Sequence, residues 1–165
     1  MRSFALIVLI AASLALGGQV RALTAANQTN TLGIVHFPVT CSPRAQTKFN
    51  TAVTLLHSFW YDKAEQAFRG VAAVDPTCAM AYWGVAMARW HELWAWPDGQ
   101  DVKVASRAIA QAQKIGAKTD KERRFIAAIA AFYHSYNATE GTGGASQYAA
   151  VMRGLHISYP SDRQA

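Results

Sequence analysis

Between residues 43 and 90, apolar side chains return every three or four positions, the spacing of a helix that buries one face. Phe49, Ala52, Val53, Leu56 and Phe59 form the first stripe. Ser42 and Pro43 start it, as an N-cap and a proline at the first helical position. A second stripe, Ala64, Ala67, Phe68 and Val71, predicts a helix from about Asp62 to Val74. Asp75-Pro76 ends it, because proline lacks a backbone donor and restricts the residue before it. A third helix begins near Thr77 and carries Met80, Trp83, Val85, Ala86, Met87 and Trp90. Further stripes predict helices from about Asp120 to Tyr136 and from Ser146 to Ser158, with a loop around Gly141 to Gly144 between them. Residues 23–42 have no such period and read as an extended arm containing Ile34-Val35-His36-Phe37-Pro38 and Cys41-Ser42-Pro43.

The stripes repeat. At an offset of 34 residues, Phe49 falls on Trp83, Ala52 on Ala86, Val53 on Met87, Leu56 on Trp90 and His57 on His91. A period of 34 is that of a stacked helix-turn-helix unit, in which a small residue such as Ala52 or Ala86 lets the paired helix come close. The second helices match at an offset of 41, Ala64, Ala67, Phe68 and Val71 on Ala105, Ala108, Ile109 and Ala112. Seven residues are therefore inserted near Trp94-Ala95-Trp96-Pro97-Asp98-Gly99-Gln100. A third unit ends in Tyr159-Pro160, the stop position that Pro76 holds in the first. The expectation is an all-α domain over residues 43–165, about three antiparallel helical hairpins.

The segments "LLHSFWYDKAEQAFRGVAAVDPTCAMAYWGVAM" and "FPVTCSP" resemble the N-terminal region of exported bacterial tetratricopeptide repeat proteins. Ala52, Ala64, Phe68 and Pro76 fit the small, small, aromatic and proline positions of that repeat, and Ala86 and Ala105 fit in the second unit. Lys48 departs from it, standing where an aromatic is usual, as does the inserted turn; the third unit matches weakly. The resemblance covers about residues 33–165 and implies a scaffold to which further repeats are normally added. An open final hairpin implies self-association through the C-terminal repeat edge.

Composition changes this picture in two places. Met1-Arg2-Ser3, the apolar run Phe4 to Leu16 and the small residues Val20 and Ala22 have the layout of a cleaved signal peptide, residues 1–22. The expected location is the periplasm or the cell exterior, with no stable membrane span after cleavage near Ala22. Without Arg2 and Arg21, the sixteen basic residues become fourteen against ten acidic, a net charge of +4 instead of +6. The basic residues are scattered, without the stripe and stacking aromatics that nucleic acid requires. The two cysteines, Cys41 and Cys78, fall in the exported portion, where oxidation allows them to pair. Closing that loop is worth roughly 3–4 kcal/mol by chain entropy.

In such hairpins the first helix of each unit lines the concave surface. The register then places Phe49, Val53, His57, Trp83, Met87, Trp90 and His91 there, with Trp94 of the inserted turn beside them, as a groove for an unidentified protein or peptide. Two readings of these residues stand: an open aromatic groove, or ordinary core with partly exposed histidines. His57 and His91 as a metal pair lack a third ligand, so neither metal nor cofactor is expected. Catalysis finds no support either. His91-Glu92 and His57-Ser58 are sequence neighbours, which do not share a helix face, and no orienting third group is evident. Gly141-Thr142-Gly143-Gly144 follows no strand and has no lysine for a phosphate loop. The turn His57-Ser58-Phe59-Trp60-Tyr61 reads as hairpin packing. The expected function is protein or peptide binding. A structural module of a longer solenoid is the alternative, and a metal-binding or enzymatic protein using the groove histidines a more remote one.

Overall fold

A computed structural model describes residues 33–91 and 95–164, so the expected signal peptide, the half of the arm before Gly33, and Trp94 lie outside the described residues. The described residues form six α-helices and no strand. These are α1 (Pro43–His57), α2 (Tyr61–Val74), α3 (Ala79–Ala88), α4 (Gly99–Ile115), α5 (Asp120–Ser135) and α6 (Ala145–Ser158). Each helix packs on the next in the chain, and α3 also packs on α1 and on α5. The three-residue turn Ser58–Trp60 brings α2 straight back along α1.

Local chemistry sets the helix ends. Pro43 opens α1 as expected, although the Ser42 side chain makes no capping bond. Asp98 and Thr119 cap α4 and α5, each in a reciprocal box with the residue three positions on, Asp101 and Glu122. Helix α3 is shorter than its apolar run predicts. It stops at Ala88, with Arg89 as C-cap, so Trp90 and His91 lie beyond the helix.

The core follows the stripes. Ala45, Phe49, Ala52 and Val53 of α1, with Ala64, Phe68 and Val71 of α2, are fully buried. Nearly all of α3 is buried, because α1, α2, α4 and α5 surround it. Gly84 makes this possible: a Cβ added there would overlap the Phe68 ring. One polar cluster sits inside the packing. Arg89 bridges Glu65 of α2 (2.5 Å) and Asp101 of α4 (3.0 Å). Burial pulls the Arg89 pKa down, but the hydrogen bond to Asp101 and the two carboxylate charges outweigh that and leave it raised. The guanidinium thus stays charged and joins the first two hairpins across α3.

Cys41 and Cys78 stand at disulfide distance, with Cα atoms 5.0 Å apart. The link ties the arm to the N-cap of α3.

Candidate functional site

The expected groove residues divide into two groups. Phe49, Val53, Trp83, Met87 and Trp90 are buried, with at most 8% of any of them exposed, so the centre of the α1/α3/α5 face is filled. The occupant is the arm. Phe37, 1% exposed, packs its ring 5.5 Å from Phe49, 5.6 Å from Trp83 and 5.0 Å from Phe125 (centroid distances), one aromatic from each of α1, α3 and α5. An open groove along these side chains is therefore corrected: they form the walls of a socket for Phe37.

The arm is held by polar contacts as well. Phe37 donates its N–H to Asn50 Oδ1 (3.2 Å), and Val39 donates its N–H to Gln46 Oε1 (2.8 Å). Gln46 Nε2 donates back to the Phe37 carbonyl (2.9 Å) and to Asn50 Oδ1 (2.9 Å). Gln46 and Asn50 are one helical turn apart on α1, which is why they face the same stretch of arm. Thr40 donates both its N–H (2.5 Å) and its hydroxyl (2.6 Å) to the buried carboxylate of Glu122 at the start of α5. Ser42 donates its N–H to Asp75 (2.7 Å). That bond, and the one from Thr77, hold the Asp75 carboxyl below the usual carboxylate range.

The second group lies at the α1–α2 turn. A cleft of about 300 Å³ opens beside Phe37, lined by His57, Phe59, Tyr61, Trp83, Met87 and Tyr148 among others. A second depression of about 370 Å³ shares Phe59 and Tyr61 and continues to Trp60, Asp62, Lys63 and His91. His57 and His91 thus line two adjoining hollows, with the Tyr61 ring 5.0 Å from that of His91. Partial burial lowers the His57 pKa from its ordinary value, so the ring is neutral at pH 7.

The turn is not simple hairpin packing. Phe59 is 46% and Trp60 56% exposed, while Tyr61 is buried. Phe59 has φ +60°, which costs a non-glycine residue about 1–2 kcal/mol. That left-handed turn directs both rings outward, where the helical stripe would have placed Phe59 inside.

Other candidates sort cleanly. Trp90 stacks on Phe132 at 4.1 Å and belongs to the core. In the inserted turn, Pro97 is fully buried, and half-exposed Trp96 lies against Tyr136 at 6.2 Å. Tyr136 also donates its hydroxyl to the Pro97 carbonyl (3.0 Å). Among the described residues no group of three or more His, Cys, Asp or Glu side chains gathers in a way that could hold a metal ion. No helix among them is long and apolar enough to cross a membrane. On α6, Leu155 is the buried residue and Ile157 is 73% exposed.

The sequence pattern did not point to Phe37, Glu122, Asn50 or Gln46. The available signals were the one aromatic in the arm, set in the short apolar run Ile34-Val35-His36-Phe37-Pro38-Val39, and two amides one turn apart on α1. Compared with family models, with curated proteins and with solved structures, the chain matches none.

Proposed function

We propose that this chain is an exported protein- or peptide-binding scaffold of the tetratricopeptide type, acting in the periplasm or outside the cell and performing no chemistry of its own. In this reading α1, α3 and α5 are the first helices of three hairpins and make the concave face. Support comes from the 34-residue register, from α3 packing on both α1 and α5, and from the cysteine pair suited to an oxidising compartment.

The observation that carries the proposal is the aromatic rim. Phe59 and Trp60 are exposed at the mouths of two hollows, and the backbone there adopts an unfavourable conformation that turns them outward. Exposed tryptophan beside an apolar cleft is the composition of an interface hot spot. Trp83 lines the adjoining cleft, which shares Phe59 and Tyr61 with the hollow at Trp60, and carries a buried indole N–H with no acceptor among the described residues. His57 and His91 add polar edges that can hydrogen-bond a ligand's backbone.

A displayed peptide library selected against the oxidised protein tests this. Enriched peptides should bind the wild type in calorimetry and lose about tenfold or more of their affinity to Trp60→Ala. Failure to enrich any sequence, or equal affinity for both proteins, would falsify the rim as a binding site.

A further inference from the structure

The covered centre of the same face shows a complete mode of recognition. The groups that α1 engages, Phe37 N–H, Phe37 C=O and Val39 N–H, belong to residues i and i+2 of an extended segment, and so lie along one edge of it. Gln46 and Asn50 therefore read backbone, which any sequence offers. Selectivity comes from a single socket, Phe49, Trp83 and Phe125 around an aromatic ring, and from Glu122, which accepts an N–H and a hydroxyl three residues on. Backbone pairing along one edge plus one side-chain pocket is how peptide grooves are generally built.

We propose that this face is a docking groove for an extended segment with an aromatic anchor, occupied at rest by the chain's own arm and latched by Cys41–Cys78. The proposal rests on the peptide-binding reading above and names both its ligand class and its control. Opening is a thiol–disulfide exchange with a dithiol reductant. One thiolate of the dithiol attacks Cys41 Sγ, the partly exposed member of the pair, since Cys78 is 1% exposed. Cys78 leaves as thiolate and takes up a proton. The second thiol of the reductant then resolves the mixed disulfide, releasing Cys41 as a thiol and leaving the reductant oxidised by two electrons. Freed of the cross-link, the arm is still tethered at Pro43 and rebinds with an effective concentration on the order of mM. Only a segment offering the aromatic anchor and the same backbone edge displaces it.

Hydrogen exchange on the full chain tests the latch. In the oxidised protein the amides of Phe37, Val39 and Thr40 should exchange as slowly as those of α1. Reduction with dithiothreitol should speed them about a hundredfold while the helices remain protected. Unchanged arm protection after reduction overturns the proposal. So does loss of protection throughout all six helices, which would make the cross-link a staple of the entire fold.

The groove is tested with a labelled synthetic peptide of residues 33–42 carrying Cys41→Ser. It is titrated into the chain bearing Cys41→Ser and Phe37→Ala, whose own arm lacks both latch and anchor. Saturable binding is expected, weakened at least about tenfold when the peptide also carries Phe37→Ala. Should the double variant fail to fold, the single Cys41→Ser chain takes its place, its own arm acting as competitor. A folded chain that binds neither peptide overturns the proposal. Peptides selected on the oxidised protein probe the rim alone, so a failure there is distinguishable from a failure here.

Discussion

The centre and the rim of the α1/α3/α5 face are both aromatic, yet they are built on opposite terms. At the centre, Phe37, Phe49, Trp83 and Phe125 each lie edge to face or tilted within 5.0–6.1 Å of at least two of the others, all buried, with the arm's backbone groups at Phe37, Val39 and Thr40 paired. At the rim, Phe59 and Trp60 stand half in water on a left-handed turn. Aromatic content alone therefore does not identify a binding surface. What separates the two regions is whether the chain has already supplied the partner.

Substitutions should expose this difference as a gradient. The largest effect belongs to Phe37→Ala, which empties the socket between three rings and should cost about 3–5 kcal/mol in urea unfolding. A loss below about 1 kcal/mol would mean that the arm lies on the face without stabilising it, and the contrast with the rim would collapse. Glu122→Gln comes next. It removes a buried carboxylate that accepts from Thr40 and Thr119, and about 1.5–3 kcal/mol should go with it. Exchange at the Thr40 amide should accelerate more than exchange in α2.

Trp60→Ala should leave stability within about 0.5 kcal/mol of wild type, since half of that ring already meets water. A large destabilisation would move Trp60 from the rim to the core. The smallest effect is one of pH. The folded-state pKa of His57 is depressed by burial, so the unfolded chain takes up its proton first as the medium acidifies. Stability is then fully present above the ordinary histidine pKa of about 6.5 and declines as pH falls through the folded value. In His57→Asn that part of the slope should vanish, which thermal midpoints at pH 7.5 and 5.5 would show.

Much of the fold was legible in the sequence because the signals were local. Pro43, Pro76 and the alternation of stripes place α1, α2, α5 and α6 within a few residues of their observed ends. The offset of 34 pairs Phe49 with Trp83, and both contact the same Phe37 ring. It misled at His57 and His91. Helix α3 ends at Arg89, whose side chain is drawn to Glu65 and Asp101, and His91 is left beyond the helix while His57 is the last residue of α1. The covered groove was illegible for a different reason. Periodicity reports which residues a helix buries but not against what, and a short extended arm has no helical period to read. Glu122 was hidden by its second role, since a capping box with Thr119 already explains a glutamate there.

Gly84 has a consequence that reaches the socket. With no side chain between them, the Phe68 ring rests directly on the α3 backbone, and the thickness of one benzene ring sets the spacing of the first two hairpins. Phe68 also lies 5.5 Å from Phe49 and 6.2 Å from Trp83, two of the rings that grip Phe37. A methyl group at position 84 would act as a shim behind that ring, and the displacement would be delivered to the jaws of the clamp. The glycine thus works as a gauge block, machining the width of the groove from the far side of the helix.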